Sequence, residues 1–210
     1  MSSLIEARLE SNSKIKINFD GGDLSSDTGL FLLKEFIHKV GFDEIIEDNF
    51  KTNDPASYRL HKDNENLLQE IYQTIAGYFQ DDDADEFIND PVFNTILDKS
   101  TLASQPTMSR FFNRMDNDTL DQYEQIHQLM RQKVYSIERP DMVLLDIDST
   151  LFGTYGNQEG QGFNYHYFSH GYHPLLCYDG LTGDLLKAQL RNGNVYTSNG
   201  VVEFLEPLLK

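Results

Sequence analysis

The sequence is short of cysteine and of long apolar runs, and both absences exclude classes of protein. Cys177 is the only cysteine among the 210 residues. A single cysteine excludes an internal disulfide and a multi-cysteine zinc site, and it fits a reducing cytoplasm. No apolar stretch reaches the roughly 18 residues of a transmembrane helix, and the N-terminal stretch lacks the apolar run of a signal peptide. We therefore expect a cytoplasmic protein that does not enter the membrane.

Basic residues are also scarce. The chain has 17 Lys and Arg against 34 Asp and Glu, which gives a formal net charge of −17. Residues 1–140 carry 26 acidic and 14 basic residues, a net charge of −12. Proteins that bind nucleic acid usually show a basic footprint, so this charge counts against that function. Two effects weaken this argument against nucleic-acid binding. Salt screens charges beyond about 10 Å, and carboxylate-bound Mg²⁺ reverses the local charge.

The apolar pattern divides the chain into a helical part and a part with strands. Residues 1–140 fit helices, apart from a short alternating strand at 14–19. The composition changes at "ERPD" (138–141), which predicts one domain at 1–140 and another at 141–210. Strands are then predicted at 142–148, 174–179 and 184–191, with a hairpin turn at 179–184 and a helix at 198–210. The predicted fold class is α/β, in the α+β sense, with a helical N-terminal region.

Two aspartates stand at the end of the predicted strand in "MVLLDIDST". Side chains alternate along a strand, so Asp146 and Asp148 share one face and lie about 7 Å apart. Burying two unpaired carboxylates is costly, so the pair needs a cation, a basic partner or solvent. The alternative is a plain turn formed by Asp148, Ser149 and Thr150, because all three residue types are favoured in turns.

Two chemistries fit an apolar strand that ends in acidic residues. One is phosphoryl transfer in which carboxylates hold Mg²⁺. The other is aspartyl-phosphate chemistry, because "DIDST" resembles the Asp-x-Asp-x-Thr pattern of haloacid-dehalogenase-type phosphatases. That resemblance implies that Asp146 is the nucleophile, Asp148 the general acid/base and Thr150 a phosphate contact. The glycine-rich loop and the hairpin that follow argue against the parallel sheet of such phosphatases.

Three longer stretches resemble the insertion-sequence transposases that have an RNase-H-like DDE catalytic domain of group 1. They are "FDGGDLSSDTGLFLLKEF", "LASQPTMSRFFNR" and "LLDIDSTLFGTYGNQEGQGFNYHYFSHGYHPLLCY" followed by "LRNGN". The resemblance implies that Asp148 begins the catalytic triad beside Asp146, and that both bind Mg²⁺ or Mn²⁺. It also implies DNA as the partner, at transposon ends and at the target. The reaction would be cleavage and strand transfer by metal-assisted attack on a phosphodiester.

The resemblance sets a further expectation, that the catalytic domain is incomplete. An RNase-H-like domain opens with three antiparallel strands and a helix, and Lys210 falls before the second Asp and the Glu of the triad. We expect either the front part of a longer transposase, which could form a homo-oligomer, or a truncated relic. Alone, these residues would bind metal weakly and cut nothing. A non-catalytic DNA-binding remnant is another alternative, and Asp179 and Asp184 are favoured as turn residues rather than replacement acids.

The stretch "ASQPTMSRFFNRM" (103–115) predicts a helix whose polar face could contact DNA. Ser104 can cap this helix, and Pro106 suits its first turn. With the helix predicted at 91–97, it could form a helix-turn-helix. An amphipathic helix with an ordinary polar face explains the pattern equally well. The residues of the types that reach phosphates and base edges are Gln105, Thr107, Arg110, Asn113 and Arg114.

Residues 156–174, "GNQEGQGFNYHYFSHGYHP", mix glycine with aromatic residues and histidines. The length of this loop is typical of a functional loop, whose aromatic rings could stack on unpaired bases. Zinc binding by His166, His170 and His173 is disfavoured, because neither cysteine nor an established histidine motif accompanies them. A tyrosine-rich flap packed on the sheet is the ordinary alternative. Arg191, in "LRNGN", could counter the carboxylates, contact phosphate or simply end a strand.

Overall fold

The computed structural model describes residues 7–18, 27–56, 58–80 and 82–209. The described part consists of helices and antiparallel sheets, which confirms the predicted α/β class. The chain divides into two compact units, residues 1–137 and residues 138–210. Part of the first stretch that resembles the transposases, residues 19–26, lies outside the described residues. None of the described helices combines the length and the apolar character needed to cross a bilayer.

The first unit is mostly helical, as predicted. A minimal antiparallel hairpin precedes its helices and pairs β1 (Ala7–Arg8) with β2 (Lys16–Ile17). Phe19, the last residue of the predicted strand, lies outside the described residues. The helices are α1 (Leu30–Val40), α2 (Phe42–Asn49), α3 (Asp63–Ala76), α4 (Asp83–Phe87), α5 (Pro91–Ile96), α6 (Gln105–Phe112) and α7 (Asn117–Ile137).

Local chemistry explains where several of these helices begin and end. Gly41 adopts a left-handed conformation with φ of 69° between α1 and α2, which glycine does without a steric penalty. The Asp90 carboxylate accepts hydrogen bonds from the N–H groups of Val92 and Phe93 at the start of α5. Pro91 occupies the first position of that helix, where no N–H is required. These signals are local, so the sequence predicts them well.

Two apolar clusters hold the helices of the first unit together. Ile46 of α2 and Phe111 of α6 are fully buried in one cluster, with residues of α3 and α7. Phe93 of α5 is fully buried in the other cluster, with residues of α1 and α3. Burial of each such side chain contributes about 1.5–3 kcal/mol. Because Phe111 and Met108 anchor α6 in the core, Arg110 is left on the outer face of that helix.

A three-stranded antiparallel sheet forms the centre of the second unit. Its strands are β3 (Leu145–Ser149), β7 (Leu175–Asp179) and β8 (Leu185–Gln189), with β7 in the middle. Both pairings are antiparallel, as predicted for these three strands. The first strand begins three residues later than predicted, because Leu145 pairs with Asp179, where β7 ends and the chain turns.

A second small sheet is inserted between β3 and β7. It contains β4 (Phe152–Gly153), β5 (Gly162–Asn164) and β6 (Ser169–Tyr172), with β6 in the middle. Backbone segments approach one another very closely here. A Cβ atom at Gly171 would collide with the carbonyl of Phe152, and one at Gly193 would collide with the carbonyl of Gly162. Glycine is therefore required at both positions.

The helix α8 (Val201–Leu205) and a 3₁₀ turn (Glu206–Leu209) cover one face of the three-stranded sheet. The helix is shorter than the predicted 198–210, because Pro207 lacks an N–H and disfavours further α-helix. Phe204 of α8 is buried against Cys177 and Leu186 of the sheet. The opposite face of the sheet carries the two aspartates that the sequence singled out.

Candidate active site

Asp146 and Asp148 lie on β3, on the face of the sheet opposite α8. Leu145 and Ile147 pack against the apolar cluster beneath the sheet, whereas both aspartates are exposed. Residues two positions apart on a strand are separated by about 7 Å, so the two side chains are neighbours on one surface. The structure thus places them on the shared face that the alternation predicts.

Neither carboxylate of this pair forms an ion pair with a basic side chain among the described residues. Their partners on β7 are Leu176, opposite Asp148, and Tyr178, opposite Asp146. The Asp148 carboxylate accepts the N–H of Ser149 at 2.7 Å, which orients it. Two adjacent negative charges on an uncharged sheet face favour a divalent cation.

The end of β3 is tied to a distant segment of the second unit. Ser149 is buried, and its hydroxyl lies 2.8 Å from the hydroxyl of Thr197. Arg191 fixes the same segment, because its guanidinium donates to the carbonyls of His173 at 3.1 Å and Asn199 at 2.8 Å. Burial lowers the pKa of the Arg191 guanidinium. Among the roles considered for Arg191, these hydrogen bonds favour a structural one. They order the backbone segment that lies beside Asp148.

A cavity of about 540 Å³ opens beside Asp148. Its walls are formed by Asp148 and Ser149, by residues 164–167 with His173, and by residues 193–197. Three tyrosine rings of these walls are exposed, with exposed fractions of 78% for Tyr165, 42% for Tyr167 and 73% for Tyr196. Part of the aromatic loop therefore lies next to the candidate carboxylate.

Two buried polar side chains in the lining of this cavity bond to the backbone of the surrounding segments. Asn164 donates from Nδ2 to the carbonyl of Gly193 at 2.8 Å. Its Oδ1 accepts the N–H groups of His166 at 2.9 Å and Tyr167 at 3.1 Å. His173 donates from Nδ1 to the carbonyl of Val195 at 2.8 Å. These bonds connect the aromatic loop to the segment that follows Arg191, so the cavity has fixed walls.

The transposase DDE domain group 1 family model matches residues 7–210, which is nearly the whole chain. The chain belongs to this transposase family. No curated protein and no solved structure matches the chain. Membership confirms the resemblance seen in the sequence, and it implies a function in DNA transposition. Members of the family generally use divalent metal ions.

The phosphatase alternative required Asp146 to lie in a doubly wound parallel sheet. In this transposase, β3 pairs with β7 and β7 with β8, and both pairings are antiparallel. Thr150, the phosphate contact in that alternative, is half-buried immediately after β3. The sheet that carries the aspartates therefore lacks the topology of the phosphatases.

The aspartate pair fits a magnesium or manganese site in its donor chemistry. Carboxylate oxygens are the hard donors that both ions prefer. Within the described ranges, no group of three or more His, Cys, Asp or Glu side chains could hold a metal ion. Asp148 and Asp146 would therefore be partial ligands, with the remaining positions filled from outside this cluster. Of the loop histidines, His173 is buried, whereas His166 and His170 are exposed.

Asp179 and Asp184 act as turn residues, as predicted. The buried Asp179 carboxylate accepts the N–H groups of Leu144 at 3.2 Å and Leu181 at 3.0 Å. Asp184 accepts the hydroxyl of Thr182 at 2.9 Å. Both carboxylates therefore order the hairpin between β7 and β8.

The polar residues of α6 occupy different environments. Arg110 and Asn113 are exposed, and Arg110 donates from Nη2 to the hydroxyl of Thr107 at 3.2 Å. Thr107 and Gln105 are half-buried, and the backbone N–H of Gln105 bonds to Asp85. Arg110 is thus a cation on the outer face of the helix, and within the described residues its guanidinium bonds to the Thr107 hydroxyl.

Arg114, in contrast, is used inside the first unit. Its guanidinium lies 2.8 Å from a carboxylate oxygen of Asp63 and 3.2 Å from one of Asp54. It also donates to the hydroxyl of Thr52 at 3.1 Å and stacks over the ring of Phe111. Only 15% of the Arg114 side chain is exposed. The geometry thus assigns it to holding the segment around Thr52 against α3 and α6.

The structure does not favour the helix-turn-helix that α5 and α6 could form. Eight residues, 97–104, connect the two helices, whereas a helix-turn-helix uses a turn of about three or four residues. The helix α6 packs against α3 and α4. Ser104 stands at the N-cap position of α6, but its side chain makes no capping hydrogen bond.

Proposed function

We propose that this chain contributes Asp148 and Asp146 as carboxylate ligands to a DDE transposase, which acts by metal-dependent phosphodiester cleavage and strand transfer. The observation that carries the proposal is the pair of exposed, uncompensated carboxylates on the central sheet of a transposase family member. Bound Mg²⁺ or Mn²⁺ would activate the attacking oxygen and stabilise the leaving one.

The chain's own residues supply position and orientation. Pairing with the central strand β7 fixes β3, and the N–H of Ser149 orients the Asp148 carboxylate. The contact between Ser149 and Thr197 holds the end of the strand. A ligand held in this way loses little freedom on binding, which favours a defined geometry at the phosphodiester.

We further propose that the outer face of α6 contacts DNA. Arg110 would neutralise a phosphate, with Gln105, Thr107 and Asn113 as hydrogen-bonding neighbours. Arg114 would contribute indirectly, by keeping α6 in place. Arg191 would likewise act through the backbone beside Asp148.

The experiment measures cleavage of DNA that carries an end of the mobile element. The protein is produced from its complete gene. Asp148→Asn and Asp146→Asn replace a metal ligand without changing its size. We expect each variant to lower the rate of metal-dependent cleavage by ~100-fold or more, because a neutral amide binds divalent ions poorly. The matched control is Asp184→Asn, which changes an exposed turn residue.

Equal cleavage by the wild type and Asp148→Asn would contradict the proposed role of Asp148. The assay also tests the alternative of a DNA-binding protein without catalysis. That alternative predicts retention on element-end DNA without metal, no cleavage by the wild type, and loss of retention in Arg110→Ala.

A further inference from the structure

Resting on the proposed function, we propose that the cavity beside Asp148 receives one unpaired base of the DNA substrate. The base would stack on the rings of Tyr167 and Tyr196, next to the phosphodiester held at Asp148. The proposal therefore adds a feature of the substrate, an unstacked nucleotide at the reacting position.

The first argument is the aromatic surface. Tyr165, Tyr167 and Tyr196 come from two separate segments, yet all three line the same cavity and keep their rings exposed. Aromatic rings usually bury their apolar faces, so exposed rings around one cavity indicate a ligand with a flat face. Every nucleobase has such a face, and single-stranded nucleic acid is bound by this stacking.

The second argument is the size and rigidity of the cavity. A volume of about 540 Å³ lies within the range of small-molecule sites. The bonds of Asn164 and His173 fix both walls, and the ring of Tyr167 packs edge-on against His173 with centroids 6.0 Å apart. A preformed site costs little ordering on binding. Bases inside a duplex expose only their edges, so the occupant must be unpaired.

The third argument is charge. Residues 141–210 contain eight acidic and three basic residues. Two of the three basic residues lie in the described part: Lys187 is 5.7 Å from the ring centroid of Phe204, and Arg191 donates to backbone carbonyls. Phosphate attraction is therefore weak in this part of the chain. Stacking on neutral tyrosine rings does not depend on charge, so it can hold the substrate where cations are scarce.

The experiment measures affinity for DNA in EDTA, so that catalytic metal plays no part. The probes are a duplex with one unpaired thymine and the fully paired duplex of the same sequence. We expect the wild type to prefer the unpaired probe. Tyr167→Ala and Tyr196→Ala should each weaken binding of that probe by about 5- to 10-fold and leave the paired duplex unaffected.

Two controls separate stacking from other effects. Tyr167→Phe and Tyr196→Phe keep the ring and should keep the affinity. Tyr155→Ala removes a ring that is 94% exposed but does not line the cavity, and it should bind like the wild type. Thermal unfolding of each variant shows whether it is folded.

Equal affinity of the wild type for both probes would overturn the inference, as would alanine variants that bind the unpaired thymine like Tyr155→Ala. These failures are distinct from failure of the proposed function. If Asp148→Asn abolishes cleavage while the tyrosine variants bind normally, only the base site is wrong. If the tyrosine variants lose affinity while Asp148→Asn still cleaves, the base site stands and the metal-ligand role is wrong.

Discussion

Arg110 and Arg114 are four positions apart on or beside α6, yet they have opposite environments. Arg110 is exposed, whereas Arg114 is surrounded by Asp54 and Asp63, of whose side chains only 9% and 13% are exposed. Asp54 also pairs with Arg59. Removing one partner from a mostly buried charge network leaves the others uncompensated.

We therefore expect Arg114→Ala to lower the free energy of unfolding by about 3 kcal/mol. Arg110→Ala is the matched control, and it should change stability by less than about 0.5 kcal/mol, because it is a surface substitution. Urea denaturation of both variants measures the difference. Equal stability of the two variants would show that the network does not hold the first unit together.

The charge network around Arg114 also predicts that the stability of the fold depends on pH. Burial alone would raise the pKa of Asp63, but hydrogen bonds from Thr52 and Arg114, together with the charge of Arg114, hold it below its ordinary value of 3.8. A carboxyl with a lowered pKa stabilises the fold above its unfolded pKa, and this contribution is lost as the pH falls through the folded pKa. Stability should therefore fall as the pH drops below about 4, and less steeply in Arg114→Ala.

At the level of secondary-structure elements, α8 is the cover of the sheet that carries Asp146 and Asp148. Phe204 is buried there, with 3% of its surface exposed, whereas its neighbour Val202 is 77% exposed. Lys187 of β8 lies over the Phe204 ring and extends the contact. The helix thus removes the apolar face of the three-stranded sheet from water, which stabilises the sheet.

We expect Phe204→Ala to destabilise the second unit by about 3–5 kcal/mol, because it opens a cavity under the sheet. Val202→Ala, on the exposed side of α8, should cost less than about 0.5 kcal/mol. Hydrogen exchange of the β7 amide groups reports the loss directly. Protection in Phe204→Ala as high as in Val202→Ala would mean that α8 does not stabilise the sheet.

Elements governed by local signals were predictable from the sequence. Alternation placed Asp146 and Asp148 on one face of β3, and the turn residues Asp179 and Asp184 were recognised as such. The start of β3 and the α5–α6 geometry were not predictable, because they depend on where the partner strand turns and on packing against α3 and α4.

The residues that line the cavity were also hard to predict, because they come from segments that are far apart in the sequence. The aromatic loop was recognised as a loop of interest, but Asn164 and residues 193–197 were missed. Their importance arises only when the chain brings Thr197 to Ser149, 48 residues away. The role of Arg114 was missed for the same reason, because Asp63 lies 51 residues from it in the chain.

For the molecule as a whole, the charge of −17 remains the feature least typical of a DNA-binding protein. The proposed site uses two of these acidic residues, Asp146 and Asp148, as metal ligands. A cation at Asp146 and Asp148 would reverse the local sign where phosphate must approach. Stacking in the neighbouring cavity and the exposed Arg110 would add contacts that tolerate the overall charge.

Binding of Mn²⁺, followed by electron paramagnetic resonance, tests whether the two aspartates form a metal site. We expect weak, saturable binding to the wild-type chain, with a dissociation constant on the order of 1 mM, since the described residues contain no group of three or more His, Cys, Asp or Glu side chains that could hold a metal ion. Asp148→Asn and Asp146→Asn should abolish the saturable component, and Asp184→Asn should retain it. Saturable binding that is unchanged in both Asp148→Asn and Asp146→Asn would contradict the metal-binding role of the pair.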